Sequence, residues 1–230
     1  MLSSMVTSKK KYTCSHPLAI HTQAVKFVAF ALIFMASSRL LELGLKSLAQ
    51  QGFTLSPHDI ALFVRRSSTG ITLILLYVDD MIITGDDSAD IRSFQHFLSQ
   101  HFEMKDLGTL SYFLALEVIS SFDGYYFSQA KYNFDLLSKA SIIDNKTVSI
   151  PLEYNAKLTP LDGEPISDAI CYHQLVGSLI YLIVTCPDIS YAVGMVSKLM
   201  DAPHSVHYAD VLQILRYVKG TLYHGLHYFS

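Results

Sequence analysis

Residues 71 to 85 read Ile-Thr-Leu-Ile-Leu-Leu-Tyr-Val-Asp-Asp-Met-Ile-Ile-Thr-Gly, and two adjacent carboxylates interrupt an otherwise apolar run. The flanks Ile71 to Val78 and Met81 to Thr84 are aliphatic and rich in β-branched residues, so each predicts a buried strand, with Asp79 and Asp80 at the turn between them. Successive strand residues point to opposite faces, so a tight turn brings both acids near one point without burying either uncompensated. Such a pair suits a divalent cation. The competing reading is structural, because aspartate is common in hairpin turns for backbone reasons alone.

Working outward, a small antiparallel meander surrounds this hairpin. Leu41, Leu45 and Leu48 with Gly52 beyond predict an amphipathic helix with a glycine stop. Ile60 to Arg66 predicts a strand, and Ser67-Ser68-Thr69-Gly70 the turn into the central hairpin. Asp87 or Ser88 caps a helix whose apolar face is Ile91, Phe94, Leu98 and Phe102. After a loop at Met104-Lys105-Asp106-Leu107-Gly108, Leu110 to Ser120 predicts a strand and Tyr125 to Phe127 its partner, joined at Ser121-Phe122-Asp123-Gly124. Beyond Gln129 the pattern turns helical: Tyr132, Leu136 and Leu137 mark one helix. A proline-punctuated connection with Pro151, Pro160 and Pro165 precedes three more, at 168–184, 187–199 and 206–219, with Pro187 as a first-turn proline and Gly220 as a stop. The expected class is α+β, an antiparallel sheet with covering helices followed by a mainly helical half. The expected division is a leader at 1–41, a sheet domain at 42–128 and a helical domain at 129–230.

The chain has 230 residues, 50% hydrophobic and 16% charged, which excludes a disordered protein. Three cysteines, Cys14, Cys171 and Cys186, form no CxxC pair, so neither a disulfide framework nor a thiolate zinc site is indicated, and a reducing, intracellular setting is the default. Of 17 basic residues, five (Lys9, Lys10, Lys11, Lys26, Arg39) fall in the first 41 residues, which contain no acid. The remaining twelve face all 20 acidic residues, a balance of −8 that is a poor match for a phosphate backbone.

The leader supports three readings. Its ten apolar residues, Phe27 to Ala36, are shorter than the roughly 20 that a membrane-spanning helix needs. With Ala36-Ser37-Ser38 they imitate a secretory signal, and the Ser/Thr-rich, acid-free composition equally imitates an organelle transit peptide. The third reading is a buried core helix or an unrelated leader.

Tyr77-Val78-Asp79-Asp80 between two apolar strands resembles the catalytic hairpin of reverse transcriptases, and several further motifs resemble the copia-type long-terminal-repeat retrotransposon branch. They are Met104-Lys105-Asp106-Leu107-Gly108 with Tyr112-Phe113-Leu114 and Glu117, Ser128-Gln129 with Lys131-Tyr132, and Leu175-Val176-Gly177 with Tyr181-Leu182. Pro187-Asp188-Ile189-Ser190-Tyr191-Ala192-Val193 and Leu215-Arg216-Tyr217-Val218-Lys219-Gly220-Thr221 follow in the same order. The resemblance runs from about Gly52 to the end. It implies a partial right-hand polymerase of the Pol polyprotein, an RNA-directed DNA polymerase (nucleotidyltransferase) with a palm and a thumb or connection. Asp79 and Asp80 would ligate Mg2+ or Mn2+, Tyr77 would lie near the sugar of the incoming nucleotide, and Tyr112, Phe113, Leu114 and Glu117 would grip the primer of an RNA/DNA template-primer.

Departures from the family pattern lower that expectation. The third metal-binding aspartate of an earlier palm strand and the Gly/Lys/Gln nucleotide-positioning segment are not recognisable, since the first aspartate is Asp59 in a Ser-Pro-His-Asp loop. No ribonuclease H segment follows, so the chain reads as truncated at both ends. Cys186 stands where the family usually has arginine, which loses a candidate phosphate contact, and Ala115 where it usually has glycine. Two carboxylates cannot orient two ions by themselves, so the isolated chain is expected to be inactive. A missing palm strand would expose a sheet edge and favour self-association. The alternative is a domesticated, non-enzymatic interaction protein that uses its helical half. His204 with His207 and His224 with His227 have helix-face spacing without a further ligand, which is weak evidence for zinc.

Overall fold

The computed structural model describes residues 11–13, 28–32, 46–77, 80–102, 104–142, 146–153 and 158–229. It forms two compact units, one of residues 16–113 and one of residues 114–230 with residues 1–15.

The first unit is built on an antiparallel sheet. Its strands are β2 (Val28–Leu32), β3 (Thr54–Leu55), β4 (Leu62–Arg66), β5 (Ile71–Tyr77), β6 (Asp80–Gly85) and β7 (Met104–Thr109). Their order across the sheet is β3-β4-β5-β6-β2-β7, and every pairing is antiparallel. Helix α1 (Ser88–His101) covers it, and the Asp87 carboxylate caps that helix by accepting from the backbone N–H groups of Ala89 and Asp90. The core joins Ile74, Met81 and Ile83 of the sheet to Ile91, Phe94 and Leu98 of the helix, with Leu48, Phe53 and Phe63. Burial of Met81, Ile82 and Ile83 in succession leaves no solvent face on the middle of β6.

Arg65 fastens the helix to the sheet. Its guanidinium holds the Asp90 carboxylate through Nε (3.0 Å) and Nη2 (2.5 Å), donates to the Gln51 carbonyl (2.8 Å) and lies 4.4 Å from the centre of the Phe53 ring. A planar donor fork that serves two oxygens and an aromatic face together is a job lysine cannot copy.

The second unit has β1 (Lys11–Thr13), β9 (Leu116–Ser121), β10 (Gly124–Ser128) and β11 (Gly225–Phe229), ordered β1-β11-β10-β9, with only the β1 pairing parallel. Its helices are α2 (Ala130–Lys139), α3 (Ala169–Leu182), α4 (Ser190–Ser197) and α5 (Ser205–Gly220), with a 3-10 turn at Pro187–Ile189. They enclose an apolar core that includes Leu136, Leu175, Leu179, Ile189, Val193, Ile214 and Val218. The Tyr172 hydroxyl, inside that core, donates to the Val196 carbonyl at 2.8 Å.

Several expectations change. The Met104–Gly108 stretch is strand β7 rather than a loop, and the apolar run of the leader contains strand β2 rather than a helix. The edge of β6 is therefore covered by β2, so the exposed edge expected beside the hairpin is absent. The stretch Leu110–Ser120 is broken: β8 (Tyr112–Phe113) ends at a two-residue turn, Leu114 and Ala115, both with positive φ (47° and 58°). Residue pattern changes near Gln129, but contacts divide the chain between Phe113 and Leu114, because β9 pairs with β10 and β10 with the C-terminal strand β11. That strand lay within the stretch read as helical or terminal, and Gly124 admits it: a Cβ there would meet the Tyr228 carbonyl oxygen at 2.0 Å.

Two stability measurements check this account. In urea unfolding, Arg65→Ala costs about 2–3 kcal/mol and Arg65→Lys about 1 kcal/mol, since removal leaves the partly buried Asp90 without its cation. Ala115→Gly stabilises by about 0.5–1 kcal/mol, because glycine relieves the left-handed backbone while adding some unfolded-state freedom.

Candidate active site

Strands β5 and β6 register residue by residue, from Thr72 opposite Gly85 to Tyr77 opposite Asp80. Asp80 is thus the first residue of β6 rather than part of the turn, and Val78 and Asp79, which the chain places between the strands, lie outside the described residues. Opposed residues of an antiparallel pair share a face, so the structure brings Tyr77 and Asp80 together. Tyr77 is half exposed and Asp80 is partly buried.

What separates Asp80 from the other described aspartates of this unit is its lack of a partner. Asp59 accepts from the Ala61 N–H (2.8 Å), Asp86 from the Ile71 N–H (2.6 Å) and Asp106 from the Gly108 N–H (2.7 Å). Asp87 caps α1 and takes the Thr69 hydroxyl, and Asp90 binds Arg65 and Thr72. Asp80 has no hydrogen bond or ion pair among the described residues. Five of these carboxylates hold backbone or side chains in place, and Asp80 is the one without a partner among the described residues.

A carboxylate beside a second aspartate in sequence is a hard-oxygen donor set of the kind magnesium or manganese takes. Among the described residues no group of three or more His, Cys, Asp or Glu side chains could hold a metal.

The other expected site residues are divided between the units. Tyr112, half exposed, and Phe113, buried, form β8 of the first unit. Leu114 and Glu117 belong to the second: the Leu114 carbonyl accepts the Tyr181 hydroxyl, and a Glu117 oxygen accepts the Ser128 hydroxyl at 2.7 Å.

Cys186 corrects the reading of that position as a lost phosphate contact. It is only 3% exposed, packed in the helical core beside Thr185, and burial pushes its thiol up to about 11. Position 186 is in the interior, where no phosphate reaches.

Histidine spacing also resolves structurally. His207 is fully buried, with Nδ1 accepting from the His204 backbone N–H (3.0 Å) and Nε2 donating to the Thr159 carbonyl (2.9 Å). Both ring nitrogens are occupied, so His207 has no lone pair for zinc. One turn along α5, burial pushes the Asp210 carboxyl above its ordinary value of 3.8, with nearby His207 opposing the shift.

Sequence reading missed strand β2 and the residues in register with the hairpin from that side, Ala31 and, beyond it, Lys105. Val28–Leu32 has no polar alternation, so nothing in it distinguishes a central strand from a short helix.

Comparisons with known proteins bear on the chain's relatives. Residues 42–154 match the family described as reverse transcriptase (RNA-dependent DNA polymerase). The relatives of this chain are Pol polyproteins of copia-type retrotransposons. It is 40% identical to the retrovirus-related Pol polyprotein from transposon RE1 of Arabidopsis thaliana over 76% of this chain and 12% of that protein. It is 36% identical to the corresponding polyprotein from transposon TNT 1-94 of Nicotiana tabacum, over 69% of this chain and 13% of that one. An uncharacterized mitochondrial protein of Arabidopsis thaliana is 38% identical over 67% of this chain and 64% of its own length. The chain therefore spans about an eighth of the Pol polyproteins it matches. No solved structure matches it. Among the described residues no helix is long and apolar enough to cross a membrane.

The raised Asp210 carboxyl has a pH consequence. Above both its folded and unfolded values the buried charge penalises only the folded state, and that penalty disappears once the pH is low enough to protonate the unfolded chain as well. Asp210→Asn should raise the melting temperature at pH 7, and the gap to the parent should close as the pH falls below 3.8.

Proposed function

We propose that this chain is a palm-and-thumb portion of a retrotransposon reverse transcriptase whose family reaction is RNA-directed DNA synthesis, and that by itself it does not polymerise. The observation that carries the first half is the Asp80 carboxylate at the start of β6, without a partner among the described residues, within Tyr77-Val78-Asp79-Asp80. Residues 16–113 serve as the palm, and the helices α2 to α5 as the thumb and connection.

Asp79 and Asp80 would hold a Mg2+ or Mn2+ ion. When bound, such an ion draws phosphoryl oxygens into line and neutralises charge that develops between the attacking primer 3′ hydroxyl and the leaving pyrophosphate. Asp80 sits on a strand paired on both edges, which fixes its backbone. Tyr77, in register with it, presents a half-exposed ring to the same face, suited to lie against the sugar of an incoming nucleotide. Tyr112, Phe113, Leu114 and Glu117 bear on the primer end.

Inactivity follows from what the hairpin lacks. In-line phosphoryl transfer depends on positioning and charge stabilisation, and one described carboxylate with its sequence neighbour cannot orient two ions. The acidic balance outside the leader further weakens the grip on a template-primer.

A second reading, a non-enzymatic interaction protein, is favoured by the outer side of α3 and its continuation. Ile170, Ile180 and Val184 are 69%, 47% and 53% exposed on a helix without a charged residue.

Primer extension on an RNA template with Mg2+ or Mn2+, using the folded chain and an Asp79→Ala, Asp80→Ala variant, separates these statements. No extension from either protein is expected. Extension that vanishes in the variant would overturn the inactive assignment. Isothermal titration with Mn2+ tests the site itself, with at least a tenfold loss of affinity expected for Asp80→Asn.

A further inference from the structure

Strands β9, β10 and β11 form an antiparallel meander in the second unit, which leaves β11 with an outer edge. That edge is met by β1, a three-residue strand from the other end of the chain. It joins in parallel, with Lys11 opposite Gly225, Tyr12 opposite Leu226 and Thr13 opposite His227. Residues 1–15 group with residues 114–230 by their contacts, whereas the residues that follow them group with the first unit. An extended segment laid along the open edge of a meander has the geometry of strand addition, in which main-chain hydrogen bonds carry the affinity.

We propose that the outer edge of β11 is a docking edge for an extended, lysine-rich segment, and that residues 11–13 are its resident occupant, a plug supplied by the same chain. Charge favours that occupant. Lys11 of β1 closes the run Lys9-Lys10-Lys11, and the first 15 residues contain no acid. Residues 114–230 hold 7 basic residues against 11 acidic ones, a balance of 7 minus 11, or −4. One of those acids, Asp123, lies 3.5 Å from Nε2 of His227, the residue opposite Thr13. Opposite charge on segment and body speeds the encounter and disfavours acidic competitors.

The plug is short enough to be displaced. Its register ends at His227, while β11 runs on through Tyr228 and Phe229, which are 44% and 54% exposed. Three parallel pairings set against the cost of ordering a chain terminus hold β1 weakly, and its tether to the rest of the chain supplies the effective concentration that keeps it in place. A segment of another polypeptide that pairs along all five residues of β11 makes more main-chain hydrogen bonds than the plug does.

Hydrogen exchange and peptide binding on the full chain provide the test. Neighbouring residues of a strand turn their N–H groups to opposite edges, so a Tyr12→Pro, Thr13→Pro double variant removes a ladder donor whichever of the two supplies it. In the parent, the β11 amides that point away from β10 are expected to exchange slowly, and a labelled peptide of residues 7–15 carrying Cys14→Ser to bind poorly by fluorescence anisotropy. In the double variant those amides should exchange at least tenfold faster, the peptide should bind at least tenfold more tightly, and bound peptide should restore slow exchange. The same peptide with Lys9, Lys10 and Lys11 replaced by glutamate should not bind.

A cross-link reads the edge without proline. In a Cys14→Ser chain, Tyr12→Cys with Leu226→Cys should form a disulfide found by peptide mass mapping, whereas Tyr12→Cys with His227→Cys, one residue along and on the other face, should not. A 12–226 pair that resists oxidation, or equal exchange in the parent and a cooperatively melting double variant, would show that β1 does not occupy the edge and overturn the proposal. So would an opened edge that ignores the peptide, takes the glutamate peptide equally well, or pairs with a second copy of the chain instead.

Discussion

The backbone of β6 carries hydrogen-bonding groups along two edges, and its middle residues are buried, so an unpaired edge would leave polar groups out of reach of water. Both edges are met from within the chain, by β5 on one side and by β2 on the other. This double pairing is the constraint on which the candidate site depends. It seats Asp80 at the start of a strand held on both sides, and it commits the segment 28–32 to the centre of a sheet. The same device blunts the edge-to-edge association that an uncovered β6 would invite.

Around that strand, the polar residues divide by task. Arg65, Asp86, Asp87, Asp90 and Asp106 secure turns, a helix cap and the helix-to-sheet junction, each with named partners at hydrogen-bonding distance. A carboxylate with no such partner among the described residues stands out against this background, which is why Asp80 weighs more than the mere presence of two aspartates. In the second unit the same logic removes candidates. His207 is consumed as a structural link between α5 and Thr159, and Cys186 is interior packing.

Much of the architecture was legible before any coordinates. Continuous aliphatic runs rich in β-branched residues marked β5 and β6, the Ile91, Phe94, Leu98 spacing marked α1, and Asp87 was one of two caps considered for it. The helices α3 and α5 fell within a few residues of expectation. The misses share a cause. Strands β2, β7 and β11 and the turn at Leu114 and Ala115 owe their conformation to partners distant in sequence or to a backbone state that their residue types do not advertise. Val28–Leu32 is apolar on every position because β6 and β7 flank it, and a run apolar throughout has no period to read.

By itself the sequence determined the likeness to reverse transcriptases, the hairpin strands β5 and β6, and the α+β pattern, because these reside in local residue order and in short-range periodicity. Tertiary structure alone decided which carboxylate has no partner among the described residues, that position 186 is interior, and that the N-terminal segment supplies a central strand with Ala31 opposite Asp80. The physical reason is that partners, burial and register are properties of pairs of segments. No window along one segment contains them.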